Sequence, residues 1–404
     1  MIDFSVIKEF ELLGPDVSGL RGRHVLCFRG RYFEVKESVV EFIETLKRAS
    51  SQEEAISLYS QVKGREFSEE EFERIAEKCL KPIITSASKE PKKMFLARAE
   101  LFPASKIKLF SESMSFLFSK KTFITAIIMI AVLEIVFFAT STTDVATGNL
   151  DFYTILGVFI LFVASSCFHE LGHASACRHY GVSHGGVGVG LYLSFPVFYT
   201  DVTDTWRLKR EQRLVVNTAG VYFQLLFLSP IIIIYLFTGN DILKYFIYTV
   251  NVNFLITLNP FFKFDGYWIV SDLLGVPNLR ARTREFLLYI INKIRRRPQT
   301  TEPFFLTLKK PVRYIMAVYS LSVNLFFAYV FGYAIPSFLI GYLKTLPEQV
   351  KSLAMQLASG QAPSFALVKS IVMPALFLGF FIYMIIRMLK PWVAKLTKSR
   401  RYGG

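Results

Sequence analysis

The chain has 404 residues, 52% of them hydrophobic and 40 of them Phe, with a mean hydropathy of +0.38. That is too oily for a soluble enzyme of this size, so a membrane protein is the default reading. The formal net charge is +15, from 47 Lys and Arg against 32 Asp and Glu. The basic residues cluster in the loops between apolar runs, which argues for membrane orientation and attraction to anionic lipid rather than nucleic-acid binding.

The first residues, MIDFSVIKEFELLG, lack the basic start, apolar core and small-residue cleavage site of a secretory signal, so the N-terminus is expected in the cytosol. The four cysteines, Cys27, Cys79, Cys167 and Cys177, form no CxxC pair. They indicate neither a disulfide framework nor a cysteine zinc knuckle, and suit a reduced cytosolic face. From His24 to Val35, two short β-type runs flank an Arg29–Gly30 turn and predict a hairpin. A helical pattern opened by Ser38, with Glu41 three places on, follows, and then two amphipathic stretches near 51–62 and 68–80. A hairpin and three helices predict a small α+β, winged-helix-like domain over 1–85. Residues 86–121, with Lys92, Lys93, Lys106 and Lys108 among Phe and Leu, read as a basic linker on the membrane surface.

From residue 122 to 404 the chain reads as a mainly α polytopic membrane body. Apolar runs near 122–141, 152–178, 214–237, 243–262, 313–340 and 367–389 predict six spans, each about 20 residues for a core of roughly 30 Å. The segment 263–310 carries ten Lys and Arg, including Arg295, Arg296 and Arg297, and the positive-inside rule places it in the cytosol. The same rule puts the head, the 178–213 connection with its Arg213, and the tail on that side, so both termini are expected to be cytoplasmic at the cell membrane. Residues 341–366 read as an external loop with an amphipathic piece.

The chemistry concentrates in His169-Glu170-Leu171-Gly172-His173, an H-E-x-x-H at one end of the second span. At 3.6 residues per turn, positions i and i+4 share a helix face, so both imidazoles can reach one ion, while Glu170 projects from an adjacent face suited to proton transfer. Chance coincidence is the competing reading, but ionisable residues inside an apolar helix are costly and are usually retained for function. A catalytic zinc takes three protein ligands and keeps one position open. Asp265, after the Pro260 break and before Gly266, is the candidate third donor; the alternative is a carboxylate that caps the short helix after it. His184 reads as an interfacial histidine before a ligand or proton donor, and Cys177 as a packed cysteine before a ligand. No role is assigned to Glu134 in the first span.

These motifs resemble the site-2 protease family of intramembrane zinc metalloproteases: an H-E-x-x-H in a membrane helix, then an Asp–Gly after a Pro-broken helix. The string LNPFFKFDGYWIVSDLLGVPNL resembles a bacterial branch described as peptide zinc metalloproteases. The resemblance covers about 150–280 and implies Zn2+ held by His169, His173 and Asp265, with Glu170 as the catalytic base. Phe264 before the Asp departs from the commoner P-x-x-P-L-D-G form, which opens the question of what Asn259 does. The alternating glycines Gly186, Gly188 and Gly190 resemble the family's β-hairpin, whose strand edge would pair with an unwound substrate; a Gly-rich re-entrant loop is the plainer reading. The head resembles, on pattern alone, precursor-peptide recognition domains that bind a leader peptide as an added strand.

The expected function is hydrolysis of a peptide bond near the cytosolic membrane face. The substrate is a peptide or membrane protein, in the context of ribosomal-peptide maturation with its maturation or export partners. The rival reading is a zinc-binding, non-proteolytic membrane component of a peptide export or immunity system. Within the enzyme class, cleavage of a regulator's transmembrane helix is the runner-up.

Overall fold

The computed structural model describes residues 3–14, 23–88, 95, 97–141, 151–192, 195–297 and 303–401. The described chain is mainly helical and divides into two compact units: described residues up to Tyr192 together with Pro196–Leu279, and a second from Arg280 onward that also takes in Phe195.

The head opens with a short helix α1 (Phe4–Lys8) and an antiparallel sheet of β1 (Glu11–Leu13), β2 (Arg23–Phe28) and β3 (Arg31–Lys36), in that order. The hairpin expected between His24 and Val35 is β2–β3. Phe28 faces Arg31 across a two-residue turn in which Arg29 (φ 50°) and Gly30 (φ 70°) are both left-handed, the backbone that matches strand twist. Three helices follow, α2 (Glu37–Arg48), α3 (Gln52–Lys63) and α4 (Glu69–Ser88). Ser38 lies inside α2, whereas Ser51 caps α3 by accepting from the Glu54 N–H at 3.2 Å. Phe10, Phe28, Phe42 and Phe72 are fully buried in the head's core.

The segment expected as a surface linker carries regular structure. It supplies β4 (Arg98–Phe102) and α5 (Ala104–Met114), and β4 pairs antiparallel with β5 (Val187–Tyr192), which continues to β6 (Phe195–Thr200) in the sheet order β4-β5-β6. The β5 edge expected to be open to a substrate is therefore filled by the chain itself, and the outer edges of this sheet are β4 and β6. Close approach explains the glycines: a side chain at Gly188 would meet the Ala99 carbonyl and the Tyr199 ring.

Among the described residues, five helical stretches are long and apolar enough to cross a membrane: Lys120–Thr140, Phe152–His179, Arg210–Thr238, Lys310–Ala358 and Ala366–Tyr383. The first three are α6, α7 and α8. The expected span near 243–262 is the shorter helix α9 (Asp241–Thr257), which ends before a turn through Asn259–Phe264 and a short helix α10 (Asp265–Leu274). Asn259 Oδ1 accepts from the Phe261 N–H at 2.9 Å, so Asn259 shapes this turn.

In the second unit, α11 (Leu279–Ile294) precedes α12 (Lys310–Tyr329), which runs through a π-helical turn at Val330–Ala334 into α13 (Ile335–Ala358). The loop expected from 341 is thus helical as far as Ala358. The wider π turn lies one turn before Pro336, where a proline lacks its N–H and crowds the preceding turn, and the helix continues past it. Tyr342 of α13 donates to the Ile371 carbonyl of α14 (Phe365–Arg401) at 3.0 Å.

Candidate metal centre

The centre is built where α7 and α8 pack closely. A side chain at Gly172 of α7 would fall on the Ala219 carbonyl and the Phe223 side chain of α8, and one at Gly220 of α8 would fall on both His169 and His173. Glycine at 220 thus makes the floor on which the imidazoles lie. His173 Nδ1 lies 2.8 Å from the Val216 carbonyl, so it carries the proton and donates, which leaves the Nε2 lone pair free to face His169.

Asp265 arrives on the first turn of α10. Its Oδ2 stands 3.0 Å from His169 Nε2 and 3.4 Å from His173 Nε2, and the two Nε2 atoms are 3.3 Å apart. Nitrogen and oxygen ligands arranged tetrahedrally around zinc at roughly 2.0–2.1 Å are separated by about 3.3 Å, so the three donors already have the edge lengths of such a site. Asp265 Oδ2 is buried beside the two imidazoles, a position for a carboxylate that costs energy unless positive charge meets it. Among the described residues, His169, His173 and Asp265 form a group that could hold a metal ion, with donor atoms all within 4.8 Å. Two imidazoles and a carboxylate suit zinc. The N-capping alternative for Asp265 is not realised, since Phe264 occupies the cap position and the carboxylate turns to the histidines.

Glu170 is buried, at 8% exposure, and its backbone carbonyl accepts from Thr200 Oγ1 at 3.4 Å, which ties the motif helix to the end of β6. His184 lies outside the three-donor group. Its Nδ1 is 2.8 Å from the Gly185 carbonyl and its Nε2 is 3.0 Å from Ser111 Oγ of α5, and burial lowers its pKa. It latches α5 to the turn before β5. Cys177 is fully buried in the cluster that includes Leu208, Val216 and Tyr222. Glu134 meets Asn251 of α9, whose amide donates to its Oε2 at 3.3 Å.

Four supporting residues escape a reading by motif. Gly220 is one. The other three are Arg213, Asn217 and Asp272: Arg213 Nε donates to Asp272 Oδ1 at 2.9 Å, and Asn217 Nδ2 donates to Asp272 Oδ2 at 2.7 Å. Arg213, expected among the topology-setting charges of the 178–213 connection, is only 5% exposed. The available signal is spacing: Arg213 and Asn217 are i and i+4 on α8, with Gly220 a turn further on.

A second polar cluster joins the head to the short 3-10 turn Thr203–Arg207 just before α8. Arg207 forms a two-pronged pair with Glu11, at 2.6 and 2.7 Å, and its Nε donates to the Tyr32 hydroxyl at 3.1 Å. Tyr32 donates to Asp204 at 2.8 Å, and Ser183 also donates to Asp204. The Arg207 guanidinium holds the Glu11 carboxyl below its ordinary value, while burial and then Asp204 push the Tyr32 hydroxyl up.

No protein-family model and no solved structure matches the chain. The chain is similar to a protein of Bacillus subtilis (strain 168) named "Putative peptide zinc metalloprotease protein YydH", with 27% identity over 140 residues. The aligned part is 34% of this chain and 56% of that relative, so the chain spans about half the length of the curated relative it matches. A three-donor cluster with the spacing of a zinc site, helices apolar enough for a membrane and similarity to a protein named as a zinc metalloprotease therefore coincide in one chain.

Proposed function

We propose that this chain is a membrane-embedded zinc endopeptidase of the site-2 type, cutting a peptide bond near the cytosolic membrane face. The observation that carries the reading is the convergence of His169, His173 and Asp265 at 3.0–3.4 Å, next to a buried Glu170. A purely structural ion needs no adjacent carboxylate outside its ligand set, which favours hydrolysis over passive binding.

His169, His173 and Asp265 would hold the ion. Bound there, zinc would supply Lewis acidity, making water acidic enough to be deprotonated near neutral pH, at about 7, and drawing electron density from the scissile carbonyl. Glu170 takes the proton from the attacking water and returns it to the departing amine. The Val216 carbonyl keeps the His173 ring in the tautomer that offers Nε2. Gly220 leaves room for both rings. The substrate strand extends the sheet at β6, the outer edge whose last residue, Thr200, touches the Glu170 backbone.

The substrate class proposed is a small ribosomal peptide or a membrane protein. The head takes the soluble end of such a peptide, in a winged-helix-like role consistent with its sheet lying against the turn that leads into α8. The test uses detergent-purified protein, a peptide library in micelles and mass spectrometry of the products. Wild type is expected to hold one zinc and to yield cleaved peptides, and Glu170→Gln to hold one zinc and yield none. Equal cleavage by both would end the assignment of Glu170, and wild type without zinc would end the metalloprotease reading.

A further inference from the structure

Asp265 is the one member of the donor group that does not sit on the motif helix, and its helix α10 is only ten residues long. A short helix reached through a turn has little of its own to hold it in register. Asp272 lies seven residues after Asp265, two turns on, so both carboxylates occupy one face of α10, about 10 Å apart along its axis. The first meets the histidines of α7. The second is gripped by α8, through Arg213 Nε at 2.9 Å and Asn217 Nδ2 at 2.7 Å, and Arg213 also donates to the Leu208 carbonyl at 3.0 Å. The gripping residues belong to the same stretch of α8 that supplies the Val216 carbonyl to His173 and the Gly220 floor to both rings.

We infer that the buried Arg213–Asp272–Asn217 cluster is a positioning device that fixes the register of α10 against α8, and so sets how well Asp265 completes the metal site. A buried ion pair recovers little net stability, because desolvating two charges offsets their attraction. Its effect is geometric: both Asp272 oxygens are engaged by donors of fixed direction, which leaves α10 one rotation and one translation against α8. Ligand geometry in metal sites depends on such outer partners, whose loss typically weakens metal affinity by about 10–100-fold. The inference rests on the metal reading proposed above.

The test measures zinc dissociation constants by chelator competition on the full chain in detergent, beside the visible absorption of the Co2+-loaded protein and thermal unfolding. The variants are Asp272→Asn, Asp272→Glu and Asn217→Ala, with His169→Ala as the reference for a lost ligand. Asp272→Asn is expected to weaken zinc binding by about 10–100-fold and to alter the Co2+ spectrum, because the third donor is displaced. Asp272→Glu, which keeps the charge, is expected to recover part of that affinity. Asn217→Ala, the mildest change, is expected to weaken binding by several-fold with the helical content retained, and it decides the matter if Asp272→Asn does not fold. Affinities and Co2+ spectra equal to wild type, even with a lowered unfolding temperature, would overturn the inference while leaving the metal site intact. Wild type that binds no zinc would overturn the metal reading and this inference together.

Discussion

The two halves of the candidate metal centre are held by different physics. His169 and His173 stand on a continuous 28-residue helix, where 3.6 residues per turn alone puts them side by side. Asp265 stands at the start of a ten-residue helix and owes its place to a turn, a glycine contact and an ion pair. A pair set by helical period tolerates change in its surroundings, whereas a donor set by tertiary contacts is lost through residues that never touch the metal. This difference predicts where substitutions distant from the motif will act.

The largest effect is expected at the floor the histidines share. Gly220→Val puts branched carbon where both imidazoles lie, so metal stoichiometry should fall from one to near zero by elemental analysis, while circular dichroism stays helical. Retention of one zinc would mean that the helix pair yields more readily than its close packing implies. Next in size is Gly266→Ala. A methyl group there meets the Leu258 carbonyl and must shift the start of α10, so zinc affinity should drop by about 10–100-fold in the same competition assay. An unchanged affinity would show that Asp265 follows the histidines rather than its own turn.

The head supplies the smaller effects. The Arg207 and Glu11 side chains are 35% and 51% exposed, so solvent screens the pair and its loss should cost about 1 kcal/mol or less. Arg207→Ala should nevertheless speed hydrogen exchange of the Thr203–Arg207 turn while leaving zinc affinity unchanged. A change in zinc affinity would mean that the head and the centre are coupled. The pH dependence has a definite sign. Glu11 has a lowered pKa in the folded chain, so its contribution is present above its ordinary value of 4.5 and is lost as pH falls through the lowered one. Protection of the same turn should therefore weaken as pH falls from that ordinary value through the lowered one, and less so in Arg207→Ala.

Much of the architecture follows from local pattern. The apolar runs that form α6, α7 and α8, the hairpin at Arg29–Gly30 and the three head helices each declare themselves through period or turn chemistry. Two of the misread parts share one cause, a partner far away in sequence. Residues 98–102 look like a linker until β5 is beside them, and Arg213 looks like a topogenic surface charge until Asp272 meets it. The helix continuing past residue 341 is a different case: composition suggested a loop from there, whereas the helix that follows the π turn at Val330–Ala334 runs on to Ala358.

The sequence by itself determined the candidate chemistry: H-E-x-x-H in an apolar helix places two imidazoles and a carboxylate within one helical turn, whatever the rest of the chain does. It also determined the oily, basic character of a chain with several membrane-length helices. Only the tertiary structure decided that Asp265 is the residue that joins the histidines, that β4 fills the edge of the Gly-rich strand, and that Arg213 and Asn217 grip Asp272. Side chains on one helix are related by a fixed period, but helices brought together by turns are related only by the contacts they make, and those contacts exist nowhere but in the folded chain.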